Sequence, residues 1–145
     1  MLCEDVMTRH VVGIGADDSV KEAARKMRDL DIGFLPVWDP RTHRVVGVIT
    51  DRDIAIRLVA EDLSAQTRVV EVMSPEVVWC RPDDDVITAE RIMGRKQKSR
   101  ILCIDEGQVV GVISLADIAS KEDEPRLAET VRQVTRRELR SAPHE

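Results

Sequence analysis

The chain repeats itself, and that constrains its fold more than any other feature. Asp5-Val6-Met7-Thr8 returns 66 residues later as Glu71-Val72-Met73-Ser74. Val11-Val12 returns as Val77-Val78, Asp17-Asp18 as Asp83-Asp84, and Ala23, Arg25 and Met27 as Ala89, Arg91 and Met93. Two residues then drop out of a turn, and at an offset of 64 Val45-Val46-Gly47-Val48-Ile49 returns as Val109-Val110-Gly111-Val112-Ile113. Across 5–39 and 44–57, 19 of 49 positions are identical to their counterparts. A period near 65 exceeds the roughly 20–50 residues of a solenoid unit. Each copy has about 60 residues, too few to bury a comfortable core alone. Two copies packed face to face would share one core about a pseudo-two-fold axis.

Within the first copy, Val11 to Ile14 reads as a short β segment. Ser19 is a plausible N-cap, and Val20, Ala23, Ala24, Met27 and Leu30 follow at helical spacing. Gly33 is expected to stop that helix. Phe34 to Trp38 and Arg44 to Ile49 read as strands, separated by a turn at Asp39-Pro40-Arg41-Thr42. A helix runs from Asp51 to about Ala60. The second copy predicts strand 77–80, helix 84–96, strand 100–104, strand 108–113 and helix 115–120. The fold class is therefore α/β (α+β), two tandem β-α-β-β-α repeats. The boundaries are 1–60 for the first repeat, 61–70 for a linker, 71–120 for the second repeat and 121–145 for a helical tail. In that tail Leu127, Val131, Val134 and Leu139 recur at helical spacing. The tail either covers the domain's own flank or forms a dimerisation helix, with 141–145 frayed.

Composition narrows the function classes. With 22 Lys and Arg against 27 Asp and Glu the net charge is −5, which argues against a generally basic nucleic-acid binder. Arg126, Arg132, Arg136, Arg137 and Arg140 make the tail locally basic, but Glu129 and Glu138 interrupt it. No apolar run reaches membrane-spanning length, and the N-terminus lacks a secretory apolar segment, so a cytoplasmic location is expected. Phe34, Trp38 and Trp79 are the only aromatic residues, so the core must be aliphatic. Cys3, Cys80 and Cys103 fit neither a zinc pattern nor a disulfide framework. They read as reduced thiols, two of them buried in strands, with a Cys3–Cys3 link across a dimer as the alternative. His10, His43 and His144 have no partners at ligand spacing. No nucleophile, phosphate-loop or dinucleotide motif occurs, so no metal site, catalytic residue or enzyme activity is expected.

One motif does carry chemistry. Gly47-Val48-Ile49-Thr50-Asp51-Arg52-Asp53 recurs as Gly111-Val112-Ile113-Ser114-Leu115-Ala116-Asp117. In both copies the hydroxyl falls where a strand ends and a helix begins. Thr50 with Asp53, and Ser114 with Asp117, fit a capping box that would stabilise each helix by about 1 kcal/mol. The same residues also suit a ribonucleotide. The hydroxyl and the helix N-terminus can take a phosphate, and the carboxylate can accept from both ribose hydroxyls. Residue chemistry alone leaves the two accounts balanced.

The duplicated unit with GVITDRD and GVISLAD resembles a tandem pair of CBS domains (a Bateman module). Asp5-Val6-Met7-Thr8 and Leu35-Pro36-Val37 match further landmarks of that family, and the likeness covers residues 1 to about 120. The chain is similar to short stand-alone bacterial pairs of the hypoxic-response type. The resemblance implies two clefts for an adenosyl ligand: AMP, ADP, ATP or S-adenosylmethionine. No cofactor is required. One cleft would use Thr50, Asp53, Val78, Lys98 and Ser99. The other would use Ser114, Asp117, Val12, Ile32, Gly33 and Arg100. Arg100 stands where phosphate-holding members often have an arginine, and its first-copy counterpart is Phe34, so the clefts are not equivalent. Asp51 near the first hydroxyl opposes a phosphate there, partly offset by Arg52, which favours the Ser114/Asp117 cleft for phosphates. Trp79 either stacks on an adenine or serves as a core or dimer-interface aromatic. The implied function is a regulatory sensor that relays nucleotide binding to an unknown protein partner, with no nucleic acid and no membrane involved. A homodimer is expected, because Ala24, Ile56 and Val59 leave apolar positions uncovered. The alternative is a ligand-free interaction or scaffold module in which the hydroxyl–carboxylate pairs serve only as helix caps.

Overall fold

The computed structural model describes residues 1–121 and 124–141. The chain forms two compact units. One is continuous, Val12–Val77. The other joins Met1–Val11 to the chain from Val78 onward. The first unit contains β1 (Ile14–Gly15), α1 (Val20–Leu30), β2 (Phe34–Trp38), β3 (Val45–Thr50) and α2 (Asp51–Ile54), which continues as wide helical turns over Ala55–Val59. The second contains β4 (Trp79–Cys80), α3 (Val86–Lys96), β5 (Arg100–Asp105), β6 (Gln108–Ser114), α4 (Leu115–Ala119) and α5 (Glu124–Ser141). Each unit has a three-stranded sheet in sequence order. The short first strand runs parallel to the second, and the second pairs antiparallel with the third. This is the mixed α/β repeat that the sequence predicts.

Local chemistry explains the elements. Ser19 Oγ accepts the Glu22 N–H at 3.1 Å and starts α1, while Asp85 accepts the Ile87 N–H at 2.9 Å and starts α3. Helix α1 buries Val20, Ala23 and Met27, a stripe at helical spacing. The paired strands bury Leu35, Val37 and Ile49 in the first unit and Ile101, Cys103 and Ile113 in the second. The first strands are shorter than expected, two residues rather than four. Helix α1 also does not stop at Gly33. It stops at Asp31, which takes the left-handed conformation (φ 54°) and donates its N–H to Met27 O. Asp is among the few non-glycine residues that visit this region readily. Gln97 ends α3 in the same way at φ 55°. Gly33 has a different role, described below.

The exchange of leading segments was not legible in the repeat. Thr8, which opens the first copy, bridges Val112 of β6 through N–H to O bonds of 2.9 and 3.0 Å. Ser74, which opens the second copy, bridges Val48 of β3 at 2.8 and 2.9 Å. Each sheet is thus extended by the segment preceding the other copy. The glycines of the repeated motif make this possible. A Cβ at Gly47 would come within 2.6 Å of Ser74 O, and one at Gly111 within 2.5 Å of Met7 Sδ.

Each unit has a core cluster of its own. Ile14, Val20, Ala23, Leu35, Val37 and Ile49 cluster with Val69 and Val72. Val86, Ala89, Met93, Ile101 and Ile113 cluster with Cys3, Val6, Cys80 and Cys103. The exchanged segments supply the apolar surface that a 60-residue unit lacks. All three cysteines are free and buried, which removes Cys3 as a link between copies. Cys80 Sγ lies 3.5 Å from Cys103 Sγ. Hydrogen bonding to Cys103 and Cys3, together with burial, pushes the Cys80 thiol well above its usual range. Helix α5 packs on α3. Val134 and partly buried Leu127 join the second core, so α5 covers the flank of its own unit. The side chain of Leu139 and residues 142–145 lie outside the described residues.

Candidate functional site

Strands β3 and β6 end on the hydroxyl residues Thr50 and Ser114, and both capping boxes are complete. Thr50 Oγ1 accepts the Asp53 N–H at 3.1 Å, and Asp53 Oδ2 accepts the Thr50 N–H at 3.0 Å. Ser114 Oγ accepts the Asp117 N–H at 3.1 Å, and Asp117 Oδ2 accepts the Ser114 N–H at 2.9 Å. The helices that follow are short: α2 has four residues and α4 has five. Few peptide dipoles therefore add up at the start of α4, whereas α2 runs on through Ala55–Val59. In the second copy the chemistry available to a ligand lies in the hydroxyl and carboxylate.

The two copies differ in what their carboxylates still have free. Asp53 is buried, 9% exposed. Its oxygens accept from Ser74 Oγ at 3.3 and 3.4 Å, and Arg57 Nε lies 3.9 Å from Oδ1. Asp117 is only half-buried, and its Oδ1 has no partner among the described residues. Ser74 and Arg57 were not singled out in the sequence. The signals were present, since Arg57 follows Asp53 by one helical turn and Ser74 sits in the repeated EVMS segment. The exchange that brings Ser74 to β3 was not visible.

The expected site residues divide between the units. Val12, Ile32, Gly33, Thr50 and Asp53 lie in the continuous unit, and Val78, Lys98, Ser99, Arg100, Ser114 and Asp117 in the other. In the first, the Asp51 N–H donates to Gly33 O at 3.0 Å. A Cβ at Gly33 would come within 2.6 Å of Asp51 Oδ2, so this glycine admits the carboxylate. In the second, the Leu115 N–H donates to Ser99 O at 3.0 Å. Phe34 is paired with Thr50, and Arg100 with Ser114. The exposed guanidinium-bearing residue and the second hydroxyl are therefore cross-strand neighbours, whereas in the first copy that position is an apolar ring. Ile32 and Val78 pack against their units' cores. Val12 is 39% exposed and Trp79 45% exposed, so Trp79 is not a core aromatic. Lys98 is half-buried, and Ser99 and Arg100 are exposed.

Among the described residues no group of three or more His, Cys, Asp or Glu is placed to hold a metal ion, and no helix is long and apolar enough to cross a membrane.

A profile of the CBS domain matches residues 3–60 and again 69–124. The CBS domain-containing protein YhcV of Bacillus subtilis (strain 168) is 34% identical over 116 residues, spanning 80% of this chain and 81% of that protein. Hypoxic response protein 1 of Mycobacterium tuberculosis is 30% identical over 133 residues, spanning 90% and 91%. The crystal structure of Hypoxic Response Protein I with two coordinated zinc ions is similar at a TM-score of 0.76 and 29% identity, covering 84% of this chain and 99% of that one. A CBS domain pair crystallised with 5′-methylthioadenosine and S-adenosyl-L-methionine is similar at a TM-score of 0.73 and 26% identity, covering 83% and 94%.

Proposed function

The chain belongs to the CBS domain family, carrying two CBS domains in tandem as a regulatory module, and from that premise we propose that it binds an adenosyl ligand through its hydroxyl–carboxylate motifs. The class is AMP, ADP, ATP or S-adenosylmethionine, and binding is relayed to a protein partner rather than coupled to a reaction. One observation carries this reading. Among the described residues Asp117 keeps an oxygen without a partner while its other oxygen closes the capping box, beside Ser114 and the cross-strand neighbour Arg100. A ribose hydroxyl can donate to that oxygen, and a guanidinium nearby suits a phosphate. Asp53 is already engaged by Ser74 and Arg57, so the second copy's motif is the stronger site. The similar pair that holds S-adenosyl-L-methionine supports the ligand class.

Isothermal titration calorimetry with the four ligands tests this. The expected result is micromolar binding of at least one, weakened by about tenfold in Asp117→Ala, the loss of one charge-assisted bond. No heat at millimolar concentration for any ligand refutes it. The completed capping boxes in both copies favour a second reading, a ligand-free interaction module, and that result would select it. For the assembly we infer a homodimer, supported by the exposure of Ile56 and Val59, 45% and 67%, and of Ala24. A monomer in sedimentation at micromolar concentration refutes the dimer.

A further inference from the structure

The structure assigns a second anion site, separate from the hydroxyl–carboxylate motifs: we propose that the groove between α3 and α5 binds a compact oligophosphate. The groove has a volume of about 690 Å³ and is lined by Arg91, Gly94, Arg95, Gln97, Gln133 and Arg136. That is the size of an ordinary small-molecule site. Three of the lining residues are arginines, exposed to solvent, and none of the three makes an ion pair or hydrogen bond among the described residues. Arg91 and Arg95 are one turn apart on α3, about 6 Å along its axis, and Arg136 comes from α5. Guanidiniums so placed match several anionic groups in one ligand rather than a single ion.

The repeat supplies the contrast. In the first copy the counterparts of Arg91, Gly94, Arg95 and Gln97 are Arg25, Arg28, Asp29 and Asp31. Arg25 is paired with Glu22 at 3.4 Å and Arg28 with Asp29 at 2.8 Å. The second copy has Thr88 in place of Glu22 and no carboxylate in the last turn, so Arg91 and Arg95 find no partner there. Two carboxylates on the same helices, among the described side chains, are already engaged. Glu90 is held by Arg126 at 2.6 Å, and Glu129 by Arg132 at 3.1 Å and Gln133 Nε2 at 3.3 Å. Gly94 eases the approach of α5, because a Cβ there would lie 3.3 Å from Gln133 Cβ. A glycine inside a helix costs about 1 kcal/mol against alanine. Here it admits the close approach of α5, an element the first copy lacks.

The lining also selects the ligand. It offers no aliphatic or aromatic wall for a base or an apolar body, so the charged phosphates themselves must be what is held. That favours a free oligophosphate over a nucleoside triphosphate, whose phosphates carry the same chemistry.

The test is calorimetric titration of the full chain with inorganic tripolyphosphate, ATP and orthophosphate. Tripolyphosphate is expected to bind, orthophosphate at least tenfold more weakly, and ATP, titrated into Asp117→Ala so that the hydroxyl–carboxylate motif is disabled, no better than tripolyphosphate. Arg91→Gln/Arg95→Gln is expected to weaken tripolyphosphate at least tenfold while the unfolding midpoint is unchanged. Arg136→Gln tests the groove independently from the other helix. The proposal is overturned if wild type shows no tripolyphosphate binding at millimolar concentration. It is also overturned if both arginine variants bind like wild type, or if binding is instead abolished by Asp117→Ala. Loss of adenosyl binding alone would sink the function proposed above and leave this groove standing.

Discussion

Replacing the motif glycines by alanine probes the exchanged segments directly. At Gly47 the new Cβ would lie 2.6 Å from Ser74 O and 2.8 Å from Met73 Sδ. Carbon contacts are optimal near 3.5–4.0 Å, so roughly 1 Å of movement is required. One of the two obstacles is a backbone carbonyl fixed by the paired Val48–Ser74 bonds of 2.8 and 2.9 Å. Overpacking of this kind costs about 1–3 kcal/mol. The entropy gained by removing a glycine offsets about 0.4–1 kcal/mol of that. Gly47→Ala is therefore expected to destabilise its unit by up to about 2.6 kcal/mol, with a mid-range value of about 1.3 kcal/mol. At Gly111 the three nearest atoms all belong to the Met7 side chain, Sδ at 2.5 Å, Cγ at 2.8 Å and Cβ at 3.1 Å. A flexible thioether can swing away, so Gly111→Ala should cost less than about 1 kcal/mol. The double variant Gly111→Ala/Met7→Ala should show a favourable coupling of about 1 kcal/mol. Gly47→Ala/Met73→Ala should recover less, because the Ser74 carbonyl remains. The assay is urea unfolding followed by fluorescence, with Trp38 reporting the continuous unit and Trp79 the other. Equal costs at the two glycines, or complete rescue by Met73→Ala, would refute the account of the exchange.

Asp53→Ala is expected to destabilise by about 2–3 kcal/mol and Asp117→Ala by about 1 kcal/mol, because both lose a cap but only Asp53 also releases Ser74 and Arg57; equal shifts in urea midpoint would contradict this. Glu90 is 2% exposed, held by Arg126 through one oxygen, and has no partner on the other. Arg126→Ala should therefore cost about 3 kcal/mol by leaving a buried carboxylate unpaired, whereas Glu90→Leu should cost much less; calorimetric melting that ranks them the other way would disprove it. The thiols of Cys3, Cys80 and Cys103, at 0%, 2% and 0% exposure, should resist Ellman's reagent in the native protein and react fully in urea. Rapid native labelling of even one would contradict the burial.

Much of this protein is written locally in its chain. The duplication, the order of strands and helices, and the Thr50–Asp53 and Ser114–Asp117 capping boxes depend on spacings of a few residues, and such spacings survive into any fold that uses them. The family resemblance rests on the same short motifs. What tertiary structure alone decided are contacts between residues far apart in sequence. Sequence spacing carries no trace of Thr8 pairing with Val112, of Ser74 pairing with Val48, or of Gly33 making room for Asp51. Arg100 against Phe34 already set the two motifs apart in the sequence, and packing added a second difference. Ser74 and Arg57 take up the carboxylate of Asp53, while Asp117 keeps an oxygen free among the described residues. Each small unit completes its apolar surface with the segment that leads into the other copy. The groove of Arg91, Arg95 and Arg136 is formed by the packing of α5 on α3, which brings together residues far apart in sequence.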